Sequence, residues 1–176
     1  MPSRHFVHLS TASIHLLKEQ VTLALARLER YFPLSLQSEQ ELCLESLLVK
    51  RKDVLGVLPT GYGKSLIYQL LPKVLSHYWF NKNGTRKTYS VLVVSPLELI
   101  RKQQVERLSK SGVKAAVLED LSTLKFEDLD REEIEIVFGS VEQWLSEKWR
   151  ESLKAGSFKR AEFLIVDEVH TVETWY

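Results

Sequence analysis

The chain has 176 residues, of which 44% are hydrophobic and 27% are charged. These values are typical of one globular domain and exclude a disordered chain, and the seven glycines and five prolines exclude a collagen-like or low-complexity protein. The 24 basic and 23 acidic residues give a net charge of +1, which excludes a polybasic protein but still allows one basic face that binds nucleic acid.

Two further features indicate the cellular compartment. Cys43 is the single cysteine, so no intramolecular disulfide can form, and a reducing, intracellular compartment is favoured. The apolar runs are far shorter than the roughly 20 residues that span a bilayer, and the amino terminus has no signal-peptide core. We therefore expect a soluble intracellular protein that does not act in a membrane.

The first predicted elements are two helices. Within residues 13–32 apolar side chains recur every three or four positions, and Pro33 ends this pattern. We interpret residues 1–30 as a helical extension and residues 31–176 as the main domain. A second helix is predicted to begin at Ser38, where Glu41 would complete a capping box, and to end at the basic triplet 50–52.

Short apolar runs then alternate with helical patterns. Buried strands are predicted at residues 54–58, 91–94 and 163–166, with weaker candidates at 113–118 and 134–138. Helices are predicted over residues 64–77, 97–110 and 141–154, a polar turn over 81–87, and a loop with a short helix over 121–130. This alternation predicts an α/β fold in which helices flank a mainly parallel sheet through right-handed crossovers.

The strongest chemical signal is a glycine-rich loop between a predicted strand and a predicted helix. Its nucleotide-binding candidates are Thr60, Gly61, Tyr62, Gly63, Lys64 and Ser65. Glycines allow the backbone to curl so that its N–H groups and the following helix terminus point at one phosphate. Lys64 can then reach phosphate oxygens, and the Ser65 hydroxyl can coordinate Mg²⁺. Leu58 stands where the general motif has a glycine, and the alternative interpretation is an ordinary turn before a helix.

A second signal is a pair of acids directly after the predicted strand 163–166. Asp167 and Glu168 would lie at the carboxyl end of a parallel strand, which is the edge where α/β domains bind ligands. Asp167 would hold Mg²⁺, and Glu168 would orient and deprotonate the attacking water. Alone, the pair would more simply be a solvated strand end; together with the upstream loop it indicates a nucleotide site for ATP and Mg²⁺.

These motifs resemble the first RecA-like domain of superfamily 2 helicases, and most closely the RecQ family of DNA helicases. Residues 58–72 are similar to motif I of that family, residues 93–97 together with Gln104 and Val105 to motif Ia, and residues 167–170 to the DEAH box. The resemblance implies an ATP-dependent 3′-to-5′ DNA helicase. It implies that Gln40 reads adenine and that His170 couples the nucleotide to the DNA site, although His170 can also be a hydrogen-bonded histidine at a strand end. It implies that Ser95, Arg101 and Trp175 contact single-stranded or partly duplex DNA, with RNA not excluded. The alternative for Ser95 and Arg101 is a turn between a strand and a helix, and the alternative for Trp175 is a structural role. It also implies a nuclear location in a eukaryote and a cytoplasmic one otherwise.

The chain departs from the family pattern at several points. Gln37 replaces an arginine near the adenine, and Val169 replaces the alanine of the acidic box. The resemblance also implies a further strand, carrying motif III, between the strands of motifs I and II. No such strand follows Trp175, so we expect a RecA-like domain that is truncated at its carboxyl terminus and whose sheet lacks a central strand. The oligomeric state is not indicated.

Some residues keep two interpretations. The second hypothesis for the whole chain is a truncated, non-catalytic module that binds nucleotide or nucleic acid, and the third is a small P-loop kinase. The basic triplet 50–52 can contact phosphate or act in targeting, although a solvated helix end is the simpler interpretation. Trp144 and Trp149 lie on a predicted helix, where packing is favoured over base stacking. Cys43 is interpreted as a small apolar core residue.

Overall fold

The computed structural model describes residues 36–118, 133–154 and 160–168, together with His15, Glu19, Thr22 and Leu23, which are helical. The rest of the helix predicted over 13–32 and the loop predicted over 121–130 lie outside the described residues. His170 and Trp175 also lie outside them.

From residue 36 onward, the described residues contain five helices and four strands. In chain order they are α1 (Ser38–Leu48), α2 (Lys64–Asn83), β1 (Ser90–Val94), α3 (Glu98–Lys110), β2 (Ala115–Val117), β3 (Ile136–Gly139), α4 (Val141–Leu145), α5 (Glu147–Lys154) and β4 (Ala161–Val166).

The four strands form one parallel sheet in the order β2-β3-β1-β4. Strand β1 lies between two neighbours, so that Val93 is opposite Phe138 of β3 on one side and Ile165 of β4 on the other. All five β1 residues are buried. The predicted α/β fold with a parallel sheet and flanking helices is therefore confirmed, and strands 91–94, 134–138 and 163–166 are found within a few residues of their expected bounds.

Apolar side chains cover both faces of this sheet. On one face, Val91 and Val93 belong to a buried cluster with side chains of α1 and α2, among them Leu44 and Leu71. On the other face, Leu92 and Val137 pack with Trp144 and Trp149. The alternation along β1 follows from the strand period of two, since neighbouring side chains point to opposite faces.

Helix ends differ from the sequence predictions in four details. The N-cap of α1 is Gln37, whose capping box uses Gln40 instead of the predicted Ser38 and Glu41. Helix α1 ends at Leu48, before the basic triplet. Helix α2 continues to Asn83 and stops at Gly84, which has a φ of 68°. The single helix predicted over 141–154 is interrupted at Ser146, whose extended backbone separates α4 from α5.

The strand predicted over residues 54–58 is wrong. These residues have no regular secondary structure, and Leu55 and Val57 are 74% and 86% exposed. An open groove of about 890 Å³ separates this segment from β4, along which Leu164 is 63% exposed. Strand β4 is therefore only half-buried, which corrects the expectation that it is covered on both faces. Within the described residues, no strand lies in the groove to pair with the outer edge of β4 or with segment 54–58. The groove lies where the resemblance predicts a further strand.

Candidate nucleotide-binding site

The glycine-rich loop has the backbone geometry that phosphate binding requires. Gly61 and Gly63 have φ values of 82° and 73°, a region that residues with a Cβ rarely adopt. Helix α2 begins at Lys64, with Ser65 as its second residue, so the free N–H groups of its first turn lie next to the loop. The loop and the positive end of the helix dipole therefore converge on one place.

Gln40 fastens α1 to this loop. Its Nε2 donates hydrogen bonds to the carbonyl oxygens of Tyr62 at 2.8 Å and Gly63 at 3.1 Å, and its Oε1 accepts one from the Gln37 N–H at 2.9 Å. Gln40 is only 3% exposed. A Cβ at Gly63 would lie 2.8 Å from Nε2. Position 63 thus needs glycine both for its positive φ and for this close approach.

A second contact between α1 and the loop involves an exposed pair. The Tyr62 hydroxyl donates a short hydrogen bond to Glu39 Oε2. This bond lowers the pKa of the Glu39 carboxyl and raises the pKa of the Tyr62 hydroxyl. Helix α1 therefore binds both the carbonyl groups of Tyr62 and Gly63 and the one aromatic side chain of the loop, while Thr60 lies exposed at its start.

The acidic pair lies at the carboxyl end of β4, as the sequence predicts. Asp167 continues the pairing with β1 through its N–H, which donates to the Val94 carbonyl at 2.9 Å. Glu168 has a φ of 55°, and its N–H donates to Asp167 Oδ1 at 3.1 Å. Burial, and then the charge of Glu168, raises the pKa of Asp167, while this backbone bond and Lys64 act in the opposite direction. A nearby cation would therefore stabilise the ionised form of the Asp167 carboxyl.

The loop and the acidic pair meet across the groove. Lys64 Nζ lies 3.9 Å from Glu168 Oε1, and both side chains are about one-third exposed. The hydroxyl of Ser65 and the carboxylate of Asp167 are the hard oxygen donors that Mg²⁺ prefers. Within the described ranges no three His, Cys, Asp or Glu side chains cluster as a metal site. The residues therefore fit a magnesium ion that is held by few protein ligands and by the phosphates of a nucleotide.

Residues 37–176 match the family model described as DEAD/DEAH box helicase, which covers most of the chain. The chain belongs to the DEAD/DEAH box helicase family. The RecA-like fold that the sequence predicts agrees with this membership. The match supports the interpretation of the chain as the ATP-binding part of a helicase and gives no support to the hypothesis of a non-catalytic module.

Among curated proteins, this helicase-family chain is similar to several RecQ-type helicases. It is 31% identical to the ATP-dependent helicase SGS1 of Saccharomyces cerevisiae over 162 residues. This aligned stretch covers 86% of this chain and 10% of the relative. Over 145 residues it is 31% identical to a probable ATP-dependent DNA helicase RecS of Bacillus subtilis, which is 80% of this chain and 26% of the relative. Over 133 residues it is 33% identical to the ATP-dependent DNA helicase RecQ of Synechocystis, which is 73% of this chain and 25% of the relative. The chain thus spans about a quarter or less of the length of these relatives. The predicted resemblance to RecQ helicases is confirmed.

Two of the residues predicted to contact nucleic acid, Ser95 and Arg101, are buried, unlike the exposed parts of the glycine-rich loop. Ser95 and Arg101 are 4% and 3% exposed. The Arg101 Nη1 donates to the Ser95 carbonyl at 2.6 Å, and the Ser95 N–H donates to the Gly139 carbonyl at 2.9 Å. The two residues therefore hold the connection between β1 and α3 against the end of β3. Their contact with nucleic acid stays a prediction, as does that of Trp175.

The packing interpretation of the two central tryptophans is confirmed. Trp144 and Trp149 are 5% and 6% exposed, and their rings meet edge to face at 6.0 Å. Trp144 Nε1 donates to the Val93 carbonyl at 3.2 Å. Cys43 is half-buried at the edge of the groove, so it is not the core residue that the sequence predicts.

Sequence reasoning missed Tyr68, which lines the groove together with Lys64, Asp167 and Glu168. This side chain is 4% exposed and packs edge to face on Phe138. Burial, followed by the charges of Asp167 and Glu168, raises the pKa of its hydroxyl. The signal was available in the sequence, because Tyr68 is one helical turn beyond Lys64 and so lies on the same side of α2.

Along the described segments no helix has the length and hydrophobicity needed to cross a bilayer.

Proposed function

We propose that this chain is the ATP-binding part of an ATP-dependent DNA helicase that moves in the 3′-to-5′ direction and couples hydrolysis to unwinding. The observation that carries the proposal is the 3.9 Å approach of Lys64 Nζ to Glu168 Oε1, which joins two motifs from distant parts of the sequence at one sheet edge. The relatives' names, which include ATP-dependent DNA helicases, support ATP and DNA as its partners.

Each residue of the site has a role in this proposal. The loop N–H groups and Lys64 bind the phosphates, and a triphosphate offers Lys64 a stronger anionic partner than one carboxylate does. Gln40 reads the adenine, and its bonds to the loop link that contact to the phosphate end. When bound, Mg²⁺ neutralises charge on the phosphates, and Ser65 and Asp167 are the side chains that hold it.

Glu168 orients and deprotonates the attacking water in this proposal. Its position next to Lys64 places the base beside the residue that binds the terminal phosphates. The loop formed by Ser95 and Arg101, together with His170 and Trp175, connects the nucleotide to a nucleic-acid strand.

An intracellular compartment, the nucleus in a eukaryote, is part of the proposal and is supported by the single cysteine.

The test is nucleotide binding by the 176-residue chain and its variants, measured with a fluorescent ATP analogue and Mg²⁺. Lys64→Ala should weaken binding by at least tenfold, because it removes the only loop side chain with a positive charge. Lys102→Ala is the matched control, since Lys102 is exposed and pairs with Glu98 on α3. Equal affinity of wild type and Lys64→Ala would overturn the proposal.

Hydrolysis is tested separately by phosphate release with and without single-stranded DNA. Glu168→Gln should keep nucleotide affinity within a fewfold and abolish any turnover, since it keeps the shape but removes the base. Turnover that survives in Glu168→Gln would remove Glu168 from its proposed role. Binding of GTP as tight as that of ATP would remove Gln40 from its role in reading adenine.

A further inference from the structure

A basic surface lies at the amino-terminal edge of the sheet, opposite the acidic pair. The Ser90 N–H donates to the Arg160 carbonyl at 2.8 Å, which fixes Arg160 beside the start of β1. Arg160 Nη1 also donates to Thr88 Oγ1 at 2.5 Å. The segment before β1 and the residue before β4 are therefore side by side, and both carry cations.

Lys87 is held at this edge by two aromatic rings. Its Nζ lies 4.7 Å from the centre of the Trp79 ring and 4.6 Å from that of Tyr89. These cation–π contacts limit the side chain to a few positions while the ammonium group stays charged. Binding of an anion at Lys87 therefore loses less side-chain entropy than binding at a freely moving surface lysine.

The basic triplet that follows α1 reaches the same edge. Arg51 and Lys52 line the groove together with Glu162, which lies two residues after Arg160 at the start of β4. Arg51 has a φ of 52°, an unfavourable conformation for a side chain of this size, and both Arg51 and Lys52 are exposed. Strained backbone of this kind is frequent where a side chain must be aimed for function.

The fold thus gathers charge from three separated segments. Residues 50–53, 84–89 and 160–162 contain six basic residues and two acidic ones, in a chain whose net charge is only +1. We define the basal patch as Arg51, Lys52, Lys87 and Arg160. Apart from the open interpretation of the triplet 50–52 as a phosphate contact, it contains none of the residues assigned above to ATP or to nucleic acid.

We propose that the basal patch binds the phosphate backbone of single-stranded nucleic acid, as a second contact surface remote from the nucleotide site. Separated cations interleaved with aromatic rings are typical of surfaces that follow a single strand, because the bases can stack on the rings. Tyr89 is only 5% exposed and is closed to a base, so the rings available for stacking are the half-buried Trp79 beside Lys87 and Phe80, which follows Trp79 in the sequence and is 47% exposed. This combination favours a nucleic-acid strand over an acidic peptide or a lipid headgroup.

The experiment measures binding of a fluorescently labelled oligo-dT by anisotropy between 50 and 300 mM salt, on the full chain without nucleotide. The triple variant Arg51→Gln, Lys52→Gln, Lys87→Gln should weaken binding at low salt by at least tenfold. It should also reduce the slope of log affinity against log salt by about 2, because each lost phosphate contact on a single strand contributes roughly 0.7. The charge-preserving triple variant Arg51→Lys, Lys52→Arg, Lys87→Arg should keep most of the wild-type affinity and salt dependence, because it retains all three positive charges.

The matched control is Lys102→Gln, Lys110→Gln, Lys154→Gln, which removes the same charge from exposed lysines that pair with glutamates elsewhere. An equal loss in this control would overturn the proposal, because only net charge would then matter. Preference of the wild type for anionic vesicles or polyglutamate over oligo-dT would also overturn it, in favour of a membrane or an acidic protein. An unchanged affinity for the fluorescent ATP analogue shows that the triple variant is folded. Because this experiment needs no ATP, its failure is distinct from a failure of the helicase assignment.

Discussion

The two sides of the sheet differ although their sequences look alike. On the side of β2 and β3, β1 is fully buried and every apolar residue of β3 is covered. On the side of β4, the apolar segment 54–58 and the outer edge of the strand face each other across a groove of about 890 Å³. We call these the closed side and the open side.

This difference shows what an apolar run can and cannot predict. Such a run records that its side chains are suited to burial, but a strand also needs a neighbour that accepts its backbone hydrogen bonds. Val91 and its neighbours have β3 and β4 on either side, whereas Val57 has no strand next to it within the described residues. The same composition therefore gives a central strand in one place and an exposed extended segment in the other.

The largest effect that can test this comparison is loss of a core side chain. Leu71→Ala on α2 should lower the free energy of unfolding by about 2–5 kcal/mol, because Leu71 is fully buried in the cluster that packs α1 and α2 on β1. Leu55→Ala on the open side should change it by less than about 0.5 kcal/mol, since Leu55 is 74% exposed. Urea unfolding followed by circular dichroism measures both.

Similar losses for the two leucine variants would break the comparison. Such a result would mean that segment 54–58 is buried in solution, with the groove closed. Val57→Ala is a useful repeat of the second measurement, because this side chain is even more exposed, at 86%.

Most of the fold could be predicted because periodicity and position in the chain agree. Strands β1 and β4 and helix α3 follow from short apolar runs and from one helical pattern that ends near Gly112. Besides the wrong strand over residues 54–58, two helix boundaries could not be predicted. The N-cap of α1 moved by one residue because Gln37 and Gln40 bond to each other, and that choice depends on Gln40 reaching the loop. The break at Ser146 accompanies the burial of both Trp144 and Trp149, which no local pattern specifies.

A smaller effect on the free energy of unfolding is expected when alanine replaces Gly139 on the closed side or Gly56 on the open side. A Cβ at Gly139 would lie 2.5 Å from Leu118 Cδ1 and 2.7 Å from Trp144 Nε1. Gly139→Ala should therefore lower the free energy of unfolding by about 1–3 kcal/mol, as overpacking does. A Cβ at Gly56 would make only an ordinary contact with Cys43 Sγ at 3.7 Å. Gly56→Ala should be neutral or stabilise the fold by up to about 1 kcal/mol, because the unfolded chain loses freedom.

Thermal and urea unfolding of the two alanine variants test this contrast. Because Leu118 is the nearest neighbour, the double variant Leu118→Ala, Gly139→Ala should be more stable than the sum of its single changes indicates. Strict additivity would show that the clash with Leu118 is not the cause.

The candidate site was easier to predict than the open side, since its signal lies in residue types at fixed spacing. Lys64, Ser65 and Asp167 could be named from the sequence because glycines, a helix start and a strand end each have a local signature. The bonds from Gln40 to the loop and the hydrogen bond between Glu39 and Tyr62 could not, because they depend on how α1 packs on α2. Contacts between elements, unlike elements themselves, leave little trace in one sequence.

The smallest effect concerns Asp167, which lies where the open side meets the site. Burial and Glu168 raise its pKa above the ordinary value of 3.8. A raised carboxyl pKa contributes stability below pH 3.8 that is lost as the pH rises through the folded-state pKa. At pH 7 the ionised Asp167 therefore opposes folding. Asp167→Asn should therefore increase the free energy of unfolding at pH 7. The size of this gain should be smaller than the loss in Gly139→Ala, and the gain should vanish as the pH falls towards 3.8.

Urea unfolding at several pH values, with Glu162→Gln as the control on the same strand, measures this effect. Glu162 is exposed near the opposite end of β4, so its variant should not show the gain of Asp167→Asn at pH 7. If Asp167→Asn instead destabilises the chain at pH 7, then attraction by Lys64 outweighs burial and the pKa is lowered. A gain at pH 7 would mean that the open side holds a carboxylate at the expense of stability, which is the pattern expected where a protein keeps a charge for binding a cation.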